Sequence, residues 1–154
     1  MARSPTKSIQ PFNIEKEMKP NRQQVYQKYN GRCAYCGDPI EFKAMQVDHI
    51  IPQRNFEWHL RNNHKIPVFL SHLTLVDLNH IDNLAPACRS CNKFKDTHCI
   101  ETFRCEVEQQ IKRLRDAKPT FRLAERYGLI ECKPKAVVFY FEQVSNPPQS
   151  SCQE

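Results

Sequence analysis

Two Cys-x-x-Cys pairs, Cys33/Cys36 and Cys88/Cys91, bracket an adjacent Asp48-His49, and the second pair runs straight into Asn92. Each short loop presents two sulfurs to one pair of corners of a tetrahedron, so four thiolates in two close pairs suit a structural zinc site. One pair alone would equally suit a redox dithiol or two buried apolar thiols. Two pairs, each beside a turn or a helix start, favour zinc, and their wide separation means the metal would close a large loop. The residues caught between them are not neutral filler. An acid beside an imidazole, with Asn83 before the second pair and Asn92 after it, supplies oxygen ligands for a hard cation together with a base. Taken singly, each has a plainer reading: an Asp-His pair is often structural, and an Asn after a zinc cysteine often caps a helix. Cys99, Cys105, Cys132 and Cys152 obey no pairing rule and read as ordinary cysteines.

These residues need elements to hold them. Ala44 to Pro52 (AMQVDHIIP) is apolar and β-branched on both sides of Asp48-His49 and reads as a short strand, with Leu84 to Cys88 as an antiparallel partner. CAYCGDPI reads as a knuckle in which Gly37 takes positive φ. Pro20 suits the first turn of a helix running to about Tyr29, stopped by Asn30-Gly31. Gln53 to Asp82 separates the two strands and is too long to lack structure of its own, so a helix or hairpin is expected there. After the second pair, Asp96 or Thr97 can cap a helix with Ile100, Phe103, Val107, Ile111 and Leu114 on one face. Pro119 and Gly128 bound another short helix, and Ala136 to Phe141 (AVVFYF) is the most strand-like run in the chain. Residues 1–11 read as a loose basic arm, 12–145 as one domain, and 146–154 as a disordered tail.

Composition narrows the class. The chain of 154 residues is large enough for one buried core, carries no run able to span a bilayer and opens on no signal-like segment. Paired cysteines without such a segment point to reduced thiols in the cytosol, not to a secreted disulfide scaffold. The excess of 23 Lys+Arg over 17 Asp+Glu gives a formal charge of +6, which favours a polyanionic partner without naming one.

The order CAYCG, VDHIIP, IDNLAPACRSCNKFK resembles the HNH endonucleases of the ββα-metal fold, in their zinc-bearing form, over about residues 31–95. The resemblance implies a ββα core stapled by a four-cysteine zinc site with an insertion at 53–82; with the N-terminal helix, and the C-terminal helices plus a strand in an extension at 96–145, read from the residues, the protein is expected to be α+β. The resemblance also implies that His49 is the general base, that Asp48 and Asn92 hold a catalytic Mg2+ or Mn2+, and that Asn83 orients the imidazole. The last position is Asn92 where a His-Asn-His protein has histidine, and an amide oxygen there is a hard ligand suited to Mg2+. Such an ion would polarise a phosphodiester while a neutral His49 takes the proton of the attacking water, and Lys95, one turn beyond Asn92, could meet a phosphate oxygen. Asp48 and His49 should point to opposite faces of a regular strand, so both reach one phosphate only near a distortion or through a backbone-assisted geometry.

The implied partner is DNA, in duplex form, with no membrane; a single site cuts one strand, and double-strand cleavage would need a homodimer or successive nicks. Arg54, Arg61 and Lys65 of the insertion are candidate phosphate contacts, while Phe56, Trp58, Leu60, Phe69 and Leu73 read as packing residues. His59, His64, His72 and His80 of the insertion, with His98, read as surface or packing residues, a second metal site being the alternative. Two other classes compete: a zinc-stapled nucleic-acid-binding module without catalysis, and a thiol-disulfide protein using Cys33/Cys36. The second lacks a thioredoxin-like βαβ context.

Overall fold

A computed structural model of the protein describes residues 20–145. The expected arm at 1–11 and tail at 146–154 lie outside the described residues. The elements run in the order α1 (Arg22–Gln27), β1 (Gln46–His49), α2 (Phe56–Arg61), β2 (Leu84–Ala87), α3 (Arg89–Lys95), α4 (Ile100–Glu108), α5 (Gln110–Ala117), α6 (Pro119–Arg126) and α7 (Tyr140–Ser145). Short 3-10 turns at Val68–Leu70 and Ile81–Asn83 punctuate the long segment between the strands. The result is a small antiparallel two-stranded sheet among helices, an α+β architecture consistent with a ββα core.

The hairpin is pinned by its register. Gln46 pairs with Ala87, Val47 with Pro86, Asp48 with Ala85 and His49 with Leu84. Beyond the strand end, the Ile50 amide donates to the Asn83 carbonyl (2.8 Å), which identifies Gln46–Ala87 and Asp48–Ala85 as the pairs that exchange hydrogen bonds. Pro86 therefore sits where the missing N–H points away from β1, and its carbonyl is free to accept from Ala34 of the knuckle (2.8 Å). In this way β2 is covered on both edges.

The knuckle closes by Gly37 N–H to the Cys33 carbonyl and Cys33 N–H to the Asp38 carbonyl, each 2.9 Å. Gly37 has φ +79°, and a Cβ there would also come within 3.1 Å of the Tyr140 ring, so glycine is required twice over. Helix α1 begins two residues later than the proline suggested: Asn21 is the N-cap, with a reciprocal capping box to Gln24, and Pro20 lies outside. From the residue after α1, Lys28 reaches across to three carbonyls, Ile81, Asp82 and Leu84, at 2.9–3.0 Å, fixing the turn that leads into β2.

Two sequence expectations fail in the C-terminal extension. The run AVVFYF forms no strand: residues 131–139 are irregular and α7 starts at Tyr140. Its backbone pairs with the knuckle instead, Tyr140 N–H to the Tyr35 carbonyl (3.0 Å) and Phe141 N–H to the Ala34 carbonyl (2.8 Å). Phe139 and Phe141 go to the core while Val138 stays half exposed, and Phe139 stacks on Phe103 at 5.0 Å, both meeting Tyr35 edge-on. The single helix expected from a cap at Asp96 or Thr97 to Leu114 starts later, with Cys99 as the N-cap of α4, and is broken once, at Gln109, where α5 follows. Ile100 and Phe103 of the periodic face are buried, whereas Ile111 and Leu114, beyond the break, are exposed. Helix α6 does run from Pro119, and Gly128 beyond it has φ +68°, as expected.

Candidate active site and cysteine cluster

Cys88 is the N-cap of α3, and its sulfur accepts from the Cys91 amide (3.4 Å), so the second pair and the helix start are one device. Through the Ala34–Pro86 bond the knuckle brings Cys33 and Cys36 against it. The four sulfurs lie within 4.8 Å of one another, with Cys36 and Cys88 4.0 Å apart. Zn–S bonds of about 2.3 Å arranged tetrahedrally put sulfurs about 3.8 Å apart. The spacing therefore fits zinc, and four cysteines so placed could hold one. Cys33 is pulled down to about 5, first by the hydrogen bond from Cys91, against the opposing effect of burial and with help from backbone amides. Cys91 is pushed far up, first by that same bond and then by burial, and burial pushes Cys36 up to about 12. One thiolate is stabilised by its neighbours, and further ones accumulate only against repulsion that a cation would relieve.

The strand alternation separates Asp48 from His49. Asp48 turns toward α3 and the knuckle, and is buried with 8% exposure. One of its oxygens, Oδ2, accepts from the Tyr35 hydroxyl and lies 3.0 Å from Lys95 Nζ. Burial, then the Asp48 charge, push Tyr35 well above the ordinary phenol value, which keeps it a donor. Lys95 is wholly buried and also donates to the His49 carbonyl (2.8 Å). This corrects the sequence reading of Lys95 as a phosphate contact: α3 turns its side chain into the core, and its neighbour Lys93 lines the cleft instead.

His49, the last residue of β1, turns toward the long insertion, where Nε2 lies 3.1 Å from Asn79 Oδ1. An amide oxygen only accepts, so Nε2 carries the proton and Nδ1 the lone pair. Asn83 does not make this contact. It is fully buried, accepts from the Ile51 amide (2.8 Å) and donates to the Leu78 carbonyl (2.9 Å), locking the two ends of the insertion together. The side chain that meets the His49 imidazole is Asn79, four residues earlier. Asn79 and Tyr35 were missed by sequence reasoning; only the strand register and the path of the insertion bring them to Asp48-His49.

Where β1 ends, both faces open on one cleft of about 800 Å³, lined by Asp48 and His49, by Gln53 and Arg54, and by Asn92 and Lys93. Asn92 gives Nδ2 to Gln46 Oε1 (2.7 Å), which leaves its oxygen as the group suited to a cation. Asp48 lines the same cleft, so both residues offer it oxygen donors of the hard type that suits a divalent ion. Of the three basic residues singled out in the insertion, Arg54 reaches this cleft. Arg61 is held by Glu57 at 2.6 Å on the exposed side of α2 and lines another hollow, and Lys65 lines neither. Phe56 and Leu73 are buried as expected, whereas Trp58 and Phe69 are about half exposed.

A small antiparallel hairpin followed by a helix is consistent with the ββα core of an HNH protein. The family model described as HNH endonuclease matches residues 33–65, which covers the first cysteine pair and Asp48-His49. The chain is also similar to the CRISPR-associated endonuclease Cas9 of Corynebacterium diphtheriae, 31% identical over 74 residues. That stretch is 48% of this chain and 5% of the relative's length. No solved structure matches. At the level of family, both likenesses are to nucleases. No helix among the described residues is long and apolar enough to cross a membrane.

Proposed function

We propose that this chain is a metal-dependent HNH endonuclease that hydrolyses phosphodiester bonds in DNA, with His49 as general base and the four-cysteine cluster as a structural zinc site. The observation that carries the reading is the convergence of Asp48, His49 and Asn92 on one open cleft rimmed by Arg54 and Lys93. Asp48 and Asn92 would hold the divalent ion, Mg2+ or Mn2+, which when bound polarises the phosphate and stabilises the leaving oxygen. Asn79 fixes the tautomer of His49, so Nδ1 accepts the proton of the attacking water. Tyr35 and Lys95 hold the Asp48 carboxylate in one orientation. Arg54 and Lys93 are positioned to meet backbone phosphates flanking the cut. The excess positive charge and the likeness to a CRISPR-associated endonuclease favour duplex DNA as substrate. One such site cuts one strand, so a double-strand break would take a homodimer or two nicks. A thiolate zinc site fits the reducing interior of a cell.

The Lys95–Asp48 pair favours a second reading, a nucleic-acid-binding module without catalysis, because it already supplies Asp48 with a cation. Nicking of supercoiled plasmid by the zinc-loaded protein, with and without Mg2+ or Mn2+, separates the two. Metal-dependent nicking that is lost in His49→Ala, with zinc content and DNA binding retained, is the expected result. Parent protein that binds plasmid and never cuts it, or His49→Ala that cuts as well as the parent, would refute the proposed mechanism.

A further inference from the structure

The insertion carries a second constellation that the cleft chemistry does not use. His72, just after the Val68–Leu70 turn, and His80 and Asp82, at the Ile81–Asn83 turn, bring one donor atom each within 4.8 Å of the others. Asp82 Oδ2 lies 3.1 Å from His72 Nε2 and 3.6 Å from His80 Nδ1. A tetrahedral ion with bonds of about 2.0–2.1 Å to nitrogen and oxygen has donor–donor edges of about 3.3 Å. The two edges bracket that value, so the carboxylate oxygen stands as the shared corner of one triangular face. His80 Nδ1 accepts from the Asp82 amide at 3.3 Å, so it is the unprotonated nitrogen, and an ion would take its one lone pair in place of this long hydrogen bond. All three side chains are between one third and one half exposed, so an ion and a completing water can enter.

We propose that His72, His80 and Asp82 form a transition-metal site, distinct from the cysteine cluster and from the cleft, that takes Zn2+. Two imidazoles and one carboxylate suit zinc, whereas Mg2+ prefers an all-oxygen octahedral shell. The site has a structural task. The Leu70–Asp82 stretch contributes few side chains to the core, Leu70 and Leu73 being buried while Leu75 and Val76 are exposed. An ion bridging His72 to the His80–Asp82 turn closes this stretch into a ring. It also steadies Asn79, the neighbour of His80, whose oxygen holds the His49 imidazole.

The test is the zinc content of purified full-length chain after exhaustive dialysis, compared among the parent, His72→Ala and Asp82→Asn. Zinc per chain is expected to fall by one equivalent in each variant while the cysteine-bound ion remains. Unchanged zinc in both variants overturns the site. Should the variants fail to fold, X-ray absorption at the zinc edge of a zinc-loaded His49→Ala chain decides, because no cleft imidazole then contributes. Imidazole nitrogen at about 2.0 Å beside sulfur at about 2.3 Å is expected, and a shell of sulfur alone overturns the proposal.

Discussion

The buried pair of Lys95 and Asp48 allows a quantitative test of how the site is held. Lys95 is 0% exposed and Asp48 8%, with 3.0 Å between Nζ and Oδ2. Lys95→Met keeps the length and apolar stem of the side chain but leaves the carboxylate buried with the Tyr35 hydroxyl as its remaining side-chain donor. Removing one partner of a buried ion pair costs about 3–5 kcal/mol, because the other charge stays uncompensated. Domains of this size have about 5–15 kcal/mol in all, so the loss is a large share. At a urea slope of about 2 kcal/mol per molar, the unfolding midpoint should fall by roughly 2 M. Adding Asp48→Asn removes the stranded charge and should recover more than half of the loss. A residue of about 1 kcal/mol would remain for the lost bond to the His49 carbonyl. The measurement is urea unfolding of zinc-loaded protein without added Mg2+, for both single variants and the double. A Lys95→Met variant within about 1 kcal/mol of the parent, or a double variant no more stable than Lys95→Met, would show that the pair is not what orients Asp48.

Removing zinc should loosen or unfold the chain, since the cysteine cluster ties the knuckle to the start of α3; circular dichroism during chelation reads this out, with an effect on the order of several kcal/mol. Zinc retention should weaken as pH falls, because ligation needs thiolates and protons compete for them. Asn79→Ala should lower kcat by about 10–100-fold, as loss of outer-shell partners of functional histidines does, with little change in KM. Asn79→Asp should restore much of the rate but move the acid limb of the pH profile upward, because a carboxylate favours the imidazolium. Arg54→Gln and Lys93→Gln should each flatten the salt dependence of DNA binding by about one unit of slope, whereas Arg61→Gln, held away by Glu57, should leave it unchanged; equal effects from all three would place the DNA elsewhere.

Residue types and spacing alone marked the two cysteine pairs, Asp48-His49 and Asn92, because ligation and base chemistry demand particular atoms at short range. The same local logic gave the knuckle glycine and the helix at Pro119, each set by contacts within a few residues, while the two strands were marked by their own composition and pair across the whole insertion. Three assignments depended on the tertiary structure. Lys95 is one helical turn beyond Asn92, yet its direction depends on what α3 packs against, and a buried Asp48 draws it inward. Asn83 and Asn79 are equally good partners for an imidazole on paper; the path of the insertion commits one to its own backbone and leaves the other facing His49. AVVFYF has the composition of a strand, but strand formation needs a neighbouring edge, and the one it meets is a cysteine knuckle that offers two carbonyls and then an aromatic core. Sequence names the atoms that can react, while long-range packing decides which way they point.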